Sequence, residues 1–237
     1  MGTSKGYIAP TRLEWSNAKR SVTTYLRNMN FETKAKTVAK YAKAMYTNKV
    51  NNSKKSVAFS SSFSSAAGNV IIFAKEVADN GLDGALNQFG RNDLIGKPPG
   101  IIINELLNQF TNHASTIDDS LSLNALSSTF NKLEIESPDD LANIDLDVFL
   151  FELIIAFVNI NFDFRFYEKI SCGRTPEETI YILNDVHDYI DGTLRNNLTI
   201  VDISKINLSK MDTNKIITDM LNDAFYTCMD FYGVEAQ

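Results

Sequence analysis

The run from residue 144 to residue 170, IDLDVFLFELIIAFVNINFDFRFYEKI, is the most apolar stretch of the chain and constrains its fold more than any other. From Val148 to Val158 only Glu152 is polar. A segment apolar nearly all round is either a helix buried on every side or a membrane span. A span takes about 20 such residues, and here Asn159, Asn161, Asp163 and Arg165 interrupt the run at once. A buried core helix is therefore expected.

The second half of the run carries a conflict. Val158, Ile160, Phe162, Phe164 and Phe166 alternate with Asn159, Asn161, Asp163 and Arg165, which is the period of a half-buried strand. On a helix the same aromatics would ring the surface rather than form a stripe. A strand needs a partner, however, and the other β-like run, residues 199–203, is short for a sheet. Residues 145–170 thus read as one long helix. The chain reads as all-α, an irregular multi-helix bundle around that buried helix with a flexible N-terminal arm.

With 237 residues and 44% apolar content, there is enough material for one sizeable core. No leader with a basic start, an apolar run and small residues opens the chain, so a cytoplasmic protein away from the membrane is expected. Cys172 and Cys228 then read as two reduced thiols. The net charge of −6 hides an asymmetry: residues 1–55 carry +10 and the remainder −16. The chain divides accordingly into an arm (1–12), a basic helical segment (13–55) and an acidic helical body (56–237). A basic quarter on an acidic body points to an acidic partner, a nucleic acid or the chain's own acidic part. Arg20, Arg27, Lys36, Lys40 and Lys43 are the candidate contacts.

The arm, MGTSKGYIAP, has two glycines, a proline and no apolar period. Ser16 can cap a first helix running to about Arg27. Asn30 can cap a second, to about Met45, with Val38, Tyr41, Ala42 and Met45 opposite Lys36, Lys40 and Lys43. Residues 47–55 read as a linker. Phe59, Phe63, Ala66, Val70, Phe73 and Val77 then mark a helix stopped by Gly81, with Ser60, Ser64 and Gly68 on another face where a neighbouring backbone can approach. A short helix over residues 82–89 ends at Gly90. Pro98 and Pro99 open the next, through Ile102, Ile103, Leu106 and Phe110.

A helix from about Asp119 should turn Leu123, Leu126, Phe130 and Leu133 inward, and Ser137-Pro138-Asp139-Asp140 opens a short turn. Thr175, Pro176 and Glu178 form a capping box. It starts a helix whose inner stripe is Ile180, Leu183, His187, Ile190 and Leu194. The last helix reads as capped by Asp212, with Ile217, Met220, Leu221, Ala224, Cys228 and Phe231 inward and Gly233 ending it.

Catalytic patterns are weak against this scaffold. The run from Gly90 to Pro98, GRNDLIGKP, resembles a phosphate-binding loop but has one residue too many between its glycines, and a proline where the Mg²⁺-binding hydroxyl belongs. A helical metal-dependent phosphohydrolase would need His113, His187, Asp188 and a later carboxylate to converge, and two histidines are the whole supply. Ser16 and Lys19 fit a serine/lysine pattern without its companion motifs. The residues imply no cofactor, no metal and no enzyme.

Two places carry a family resemblance. The opening Met1-Gly2-Thr3-Ser4, and the block Gly81-Leu82-Asp83-Gly84-Ala85-Leu86 continuing through Phe89-Gly90 to Asp93-Leu94-Ile95-Gly96-Lys97-Pro98, resemble the QatB family of bacterial anti-phage defence proteins. The Ser-rich helix before the block fits as well. The resemblance implies a non-enzymatic component of a system that also encodes an ATPase, a QueC-like enzyme and a TatD-like nuclease. It further implies, by analogy with QueC-like chemistry on N-terminal glycines, that Gly2 is a modification acceptor, or Gly6 if the arm is first trimmed. A glycine on a flexible arm offers no side chain to obstruct a partner's cleft. The alternatives are a nucleic-acid-binding module using the basic quarter and the phosphohydrolase.

Overall fold

The computed structural model describes residues 12–47, 56, 57, 60–198 and 210–230. In chain order it contains α1 (Leu13–Asn28), α2 (Phe31–Met45), β1 (Tyr46–Thr47), β2 (Ser56–Val57), α3 (Ser60–Gln88), α4 (Pro99–Phe110), α5 (Ile117–Lys132), α6 (Leu146–Ser171), α7 (Pro176–Asn197) and α8 (Lys210–Asp230). The fold is all-α. Its one sheet among the described residues is an antiparallel pair of two-residue strands, with Tyr46 opposite Val57 and Thr47 opposite Ser56. Residues 1–11 of the arm, residues 48–55 of the stretch read as a linker, the β-like run at 199–203, Phe59, Phe231 and Gly233 lie outside the described residues.

The apolar run forms the single helix α6, begun by Asp145, whose carboxylate accepts from the N–H groups of Asp147 and Val148. The 158–166 region is helical, and its aromatics do not ring the surface. Val158, Phe162 and Phe166, four residues apart, form one buried stripe, while Phe164 remains exposed. Phe162 and Phe166 meet the Tyr41 ring edge-on, and Phe166 also faces Trp15. Tyr41 donates to the Val158 carbonyl at 2.9 Å, so the α2 helix is tied to the centre by both its ring and its hydroxyl. Asn161, fully buried, donates to the Phe157 carbonyl one turn back, which is how a polar residue is tolerated on a buried helix face. Phe157 itself stacks on Phe63 of α3 at 4.2 Å between ring centroids.

The basic segment shares this core. Trp15, Val22, Tyr25, Tyr41 and Met45 belong to the same apolar cluster as α6, and α2 packs on α7 and α8. Helices α1 and α2 form a hairpin across Met29, which takes a left-handed φ of 40°, and Asn30, which caps α2 reciprocally with Thr33. On either side of the stretch read as a linker, β1 and β2 pair. Asn222 of α8 holds both strands: its side-chain oxygen accepts from the Val57 N–H, and its carbonyl accepts from the Tyr46 hydroxyl.

Gly81 breaks α3 as expected, with φ 72° and ψ 171°. On the face of Ser64 and Gly68 the close neighbour is α8: Ser64 Oγ lies 2.7 Å from Thr218 Oγ1, and a Cβ at Gly68 would sit 2.2 Å from Asn214 Oδ1. Pro98 and Pro99 open α4, and the 137–140 turn and the Thr175 capping box form as read.

Several boundaries and two stripes need correction. Ser16 lies within α1, which starts at Leu13 behind Arg12; no side chain caps it. Helix α5 begins at Ile117, two residues before Asp119, because Thr116 caps it in a box closed by Asp119. Leu121 and Ala125 supply its buried side with Leu126 and Phe130, and Leu123 and Leu133 only flank the core. Asp212 sits in the first turn of α8, not at its cap. Ile180 is 56% exposed, and the buried stripe of α7 runs instead through Thr179, Ile182, Leu183, Val186, Ile190 and Leu194.

Candidate functional site

The polar side chains nearest the core are engaged in structural ties. Glu152, on the all-apolar half of α6, accepts two hydrogen bonds from the Arg195 guanidinium, at 2.7 and 2.9 Å, and pairs with Lys132 at 2.7 Å. Burial pushes this carboxyl up, but the two cations outweigh it and hold it below the usual carboxylate range. Asp185 of α7 receives the Tyr25 hydroxyl and the Lys34 ammonium, the latter at 2.6 Å, and is likewise held low despite its burial. That bond and burial together push the Tyr25 phenol well up. His187 does not join the buried stripe; its Nε2 lies 2.7 Å from Asp163 Oδ1 at the edge of α6. His113 sits in an exposed turn between α4 and α5, and Asp188 is exposed on α7. Among the described residues no three His, Cys, Asp or Glu side chains are grouped to hold a metal ion.

The 90–98 run is a turn built on its own side chains. Arg91 pairs with Asp93 at 3.0 Å and with Glu105 of α4 at 3.1 Å, and Gly90 and Gly96 take φ of 70° and 75°. These are left-handed conformations that glycine adopts without strain. With Gly81, they explain the glycine spacing of the block as backbone geometry rather than phosphate chemistry.

Among the described residues a basic face is left open. A groove of about 930 Å³ runs between α1 and the C-terminal half of α6, with Lys19 and Arg27 on one wall and Arg165, Lys169 and Arg174 on the other. Glu168 is the one carboxylate lining it, and Trp15, Phe164 and Phe166 supply its aromatic side. The Arg165 guanidinium lies 5.1 Å from the centroids of both Trp15 and Phe164; burial lowers its pKa to about 10. On the other side of α1 a smaller cleft of about 190 Å³ is lined by Arg20, Lys36 and Lys40, with no carboxylate.

Of the five candidate contacts, the structure brings Arg20, Lys36 and Lys40 together and places Arg27 across α1 in the larger groove. Lys43 is exposed and lines neither. Gly2 and Gly6 lie outside the described residues. Sequence reasoning missed Arg165, Lys169 and Arg174, which belong to the stretch counted as acidic. Their signal is local: three cations in ten residues at the end of α6, where the surrounding acidic count conceals them.

No described helix is long and apolar enough to cross a membrane. Residues 52–228 match the family model described as QatB, Qat anti-phage system associated protein QatB. No curated protein and no solved structure matches the chain.

Proposed function

The chain belongs to the QatB family, and on that premise we propose that it is a non-enzymatic acceptor and docking protein of a Qat anti-phage system. The amine of Gly2, or of Gly6 after trimming, is the point at which a QueC-like partner acts, and the helical body is the surface that the partner grips. The ATPase and the TatD-like nuclease implied by the resemblance are the other partners of the assembly.

One observation supports this reading most directly. The first described residue, Arg12, is fastened to the body through its guanidinium, which donates to the carbonyls of Ala44 at 3.0 Å and Tyr46 at 3.4 Å. The arm therefore has a fixed root. Fully extended, the stretch from Gly2 to Arg12 reaches at most roughly 35 Å, enough to enter a neighbouring active site while the body stays docked.

The test is intact mass and peptide mapping of the protein produced with and without its QueC-like partner. A mass increase on the Gly2 amine is expected in the complete system. Gly2→Pro, with a secondary amine in a ring, should remain unmodified and abolish defence at normal protein level. An unmodified amino terminus in a fully active system would remove the acceptor role.

A further inference from the structure

We propose that the face formed by α1 and its two flanking grooves binds single-stranded nucleic acid through the phosphates. Lys19 and Arg20, and Thr23 and Thr24, are sequence neighbours that line opposite grooves, so both grooves border one solvent-facing ridge of α1. Among the described residues the two grooves together hold eight cations and one carboxylate, in a chain whose net charge is −6. Such a concentration of one sign focuses the field at that face.

The structure separates six of these cations from those already spent on the fold; Arg174 donates to the Ile170 and Cys172 carbonyls, and Arg165 lies over the Trp15 and Phe164 rings. Lys34, Arg91, Lys132 and Arg195 lie in ion pairs. Among the described residues no salt bridge engages Lys19, Arg20, Arg27, Lys36, Lys40 or Lys169. Hydroxyls in the grooves are turned inward: Ser21, Thr23 and Thr24 donate to the carbonyls of Ala18, Lys19 and Arg20. The donors facing an occupant are therefore ammonium and guanidinium groups, which pair with phosphate oxygens.

A single strand suits this face better than an acidic peptide. The larger groove carries an aromatic side, with Phe164 39% exposed and stacked near the Arg165 cation. Bases have faces to place there, and a run of carboxylates has none. Trp15 and Phe166 are buried, so Phe164 is the ring open to a base; a positive groove beside an exposed aromatic ring is the arrangement by which strands are held without sequence preference. This site is independent of any modification at Gly2.

The test is fluorescence anisotropy of the full chain with labelled mixed-sequence DNA of about 20 nucleotides, long enough to cover one site. RNA of the same sequence, the DNA duplex and a poly-glutamate peptide of similar length serve as further arms. With about five phosphates neutralised, single-strand affinity should fall on the order of 100-fold between 50 and 200 mM salt. RNA should bind within a few-fold of DNA. Arg27→Glu with Lys36→Glu and Lys169→Glu should weaken binding by at least about 100-fold, and Lys169→Ala alone should reduce the salt slope by about 0.7. Lys215→Glu on α8 should change nothing. Absence of binding at 50 mM salt, or equal loss with Lys215→Glu, overturns the site. Tighter binding of poly-glutamate would reassign the face to an acidic protein, and tighter binding of duplex would overturn the single-strand assignment.

Discussion

The tie at Glu152 separates two effects that replacing a buried charge usually mixes. Its carboxylate side chain is 9% exposed, whereas Arg195 and Lys132 are 40% and 50% exposed. Removing the cation strands a buried anion; removing the anion leaves Lys132 to water and Arg195 on Asp191. Breaking a fully buried pair from one side costs about 3–5 kcal/mol. Because Lys132 remains on the carboxylate and Arg195 is partly solvated, Arg195→Ala should cost about 2 kcal/mol. Glu152→Leu, which fills the same space on an otherwise apolar helix, should stay within about 1 kcal/mol of wild type.

Acid adds a second signature. The Glu152 carboxyl is held low in the fold, so its contribution is fully present above its unfolded value near about 4.3 and is lost as pH falls through the lower folded value. Glu152→Leu should therefore lose less stability on acidification than wild type. Urea unfolding followed by the fluorescence of Trp15, the one tryptophan and a buried one, measures all three proteins. An Arg195→Ala midpoint equal to wild type, or a Glu152→Leu loss larger than that of Arg195→Ala, would refute the reasoning.

Gly68→Val should destabilise by about 1–3 kcal/mol, since its Cβ meets Asn214 of α8, and Asn214→Ala in the same chain should recover part of the loss in thermal or urea unfolding. Cys172 is exposed, whereas Cys228 is buried and its thiol is pushed up to about 12. An aromatic disulfide reagent should thus find one fast thiol per native chain and two after unfolding; two fast thiols in the native state would show that α8 is not packed as described.

The fold was legible where apolar period and capping chemistry agreed, as in α2, α4 and α7, whose starts are written by Asn30, the Pro98-Pro99 pair and the Thr175 box. It was less legible where one signal masked another. The alternation in residues 158–166 imitates a strand because Asn161 is polar yet buried, its amide N–H donating to the carbonyl one turn back, an arrangement no binary pattern records. Ser16 and Asp212 have capping chemistry but sit inside their helices: α1 begins earlier, behind Arg12, whose guanidinium is tied to the Ala44 and Tyr46 carbonyls, and Asp212 lies in the first turn of α8. The basic face was half visible. Its α1 and α2 cations stand in a basic stretch, but the α6 cations come from a segment about 140 residues away, and only folding places them opposite Lys19 and Arg27.

The clamp of Asn222 on β1 and β2 makes the intervening residues an insertion joint. Thr47 and Ser56, nine residues apart in sequence, are paired. What is spliced between them has its ends already brought together, and lengthening a loop costs only about 0.6 kcal/mol for each doubling. An epitope, a fluorescent domain or a protease site placed between residues 48 and 55 would be carried by the strand pair and α8, leaving α6 and the basic face untouched.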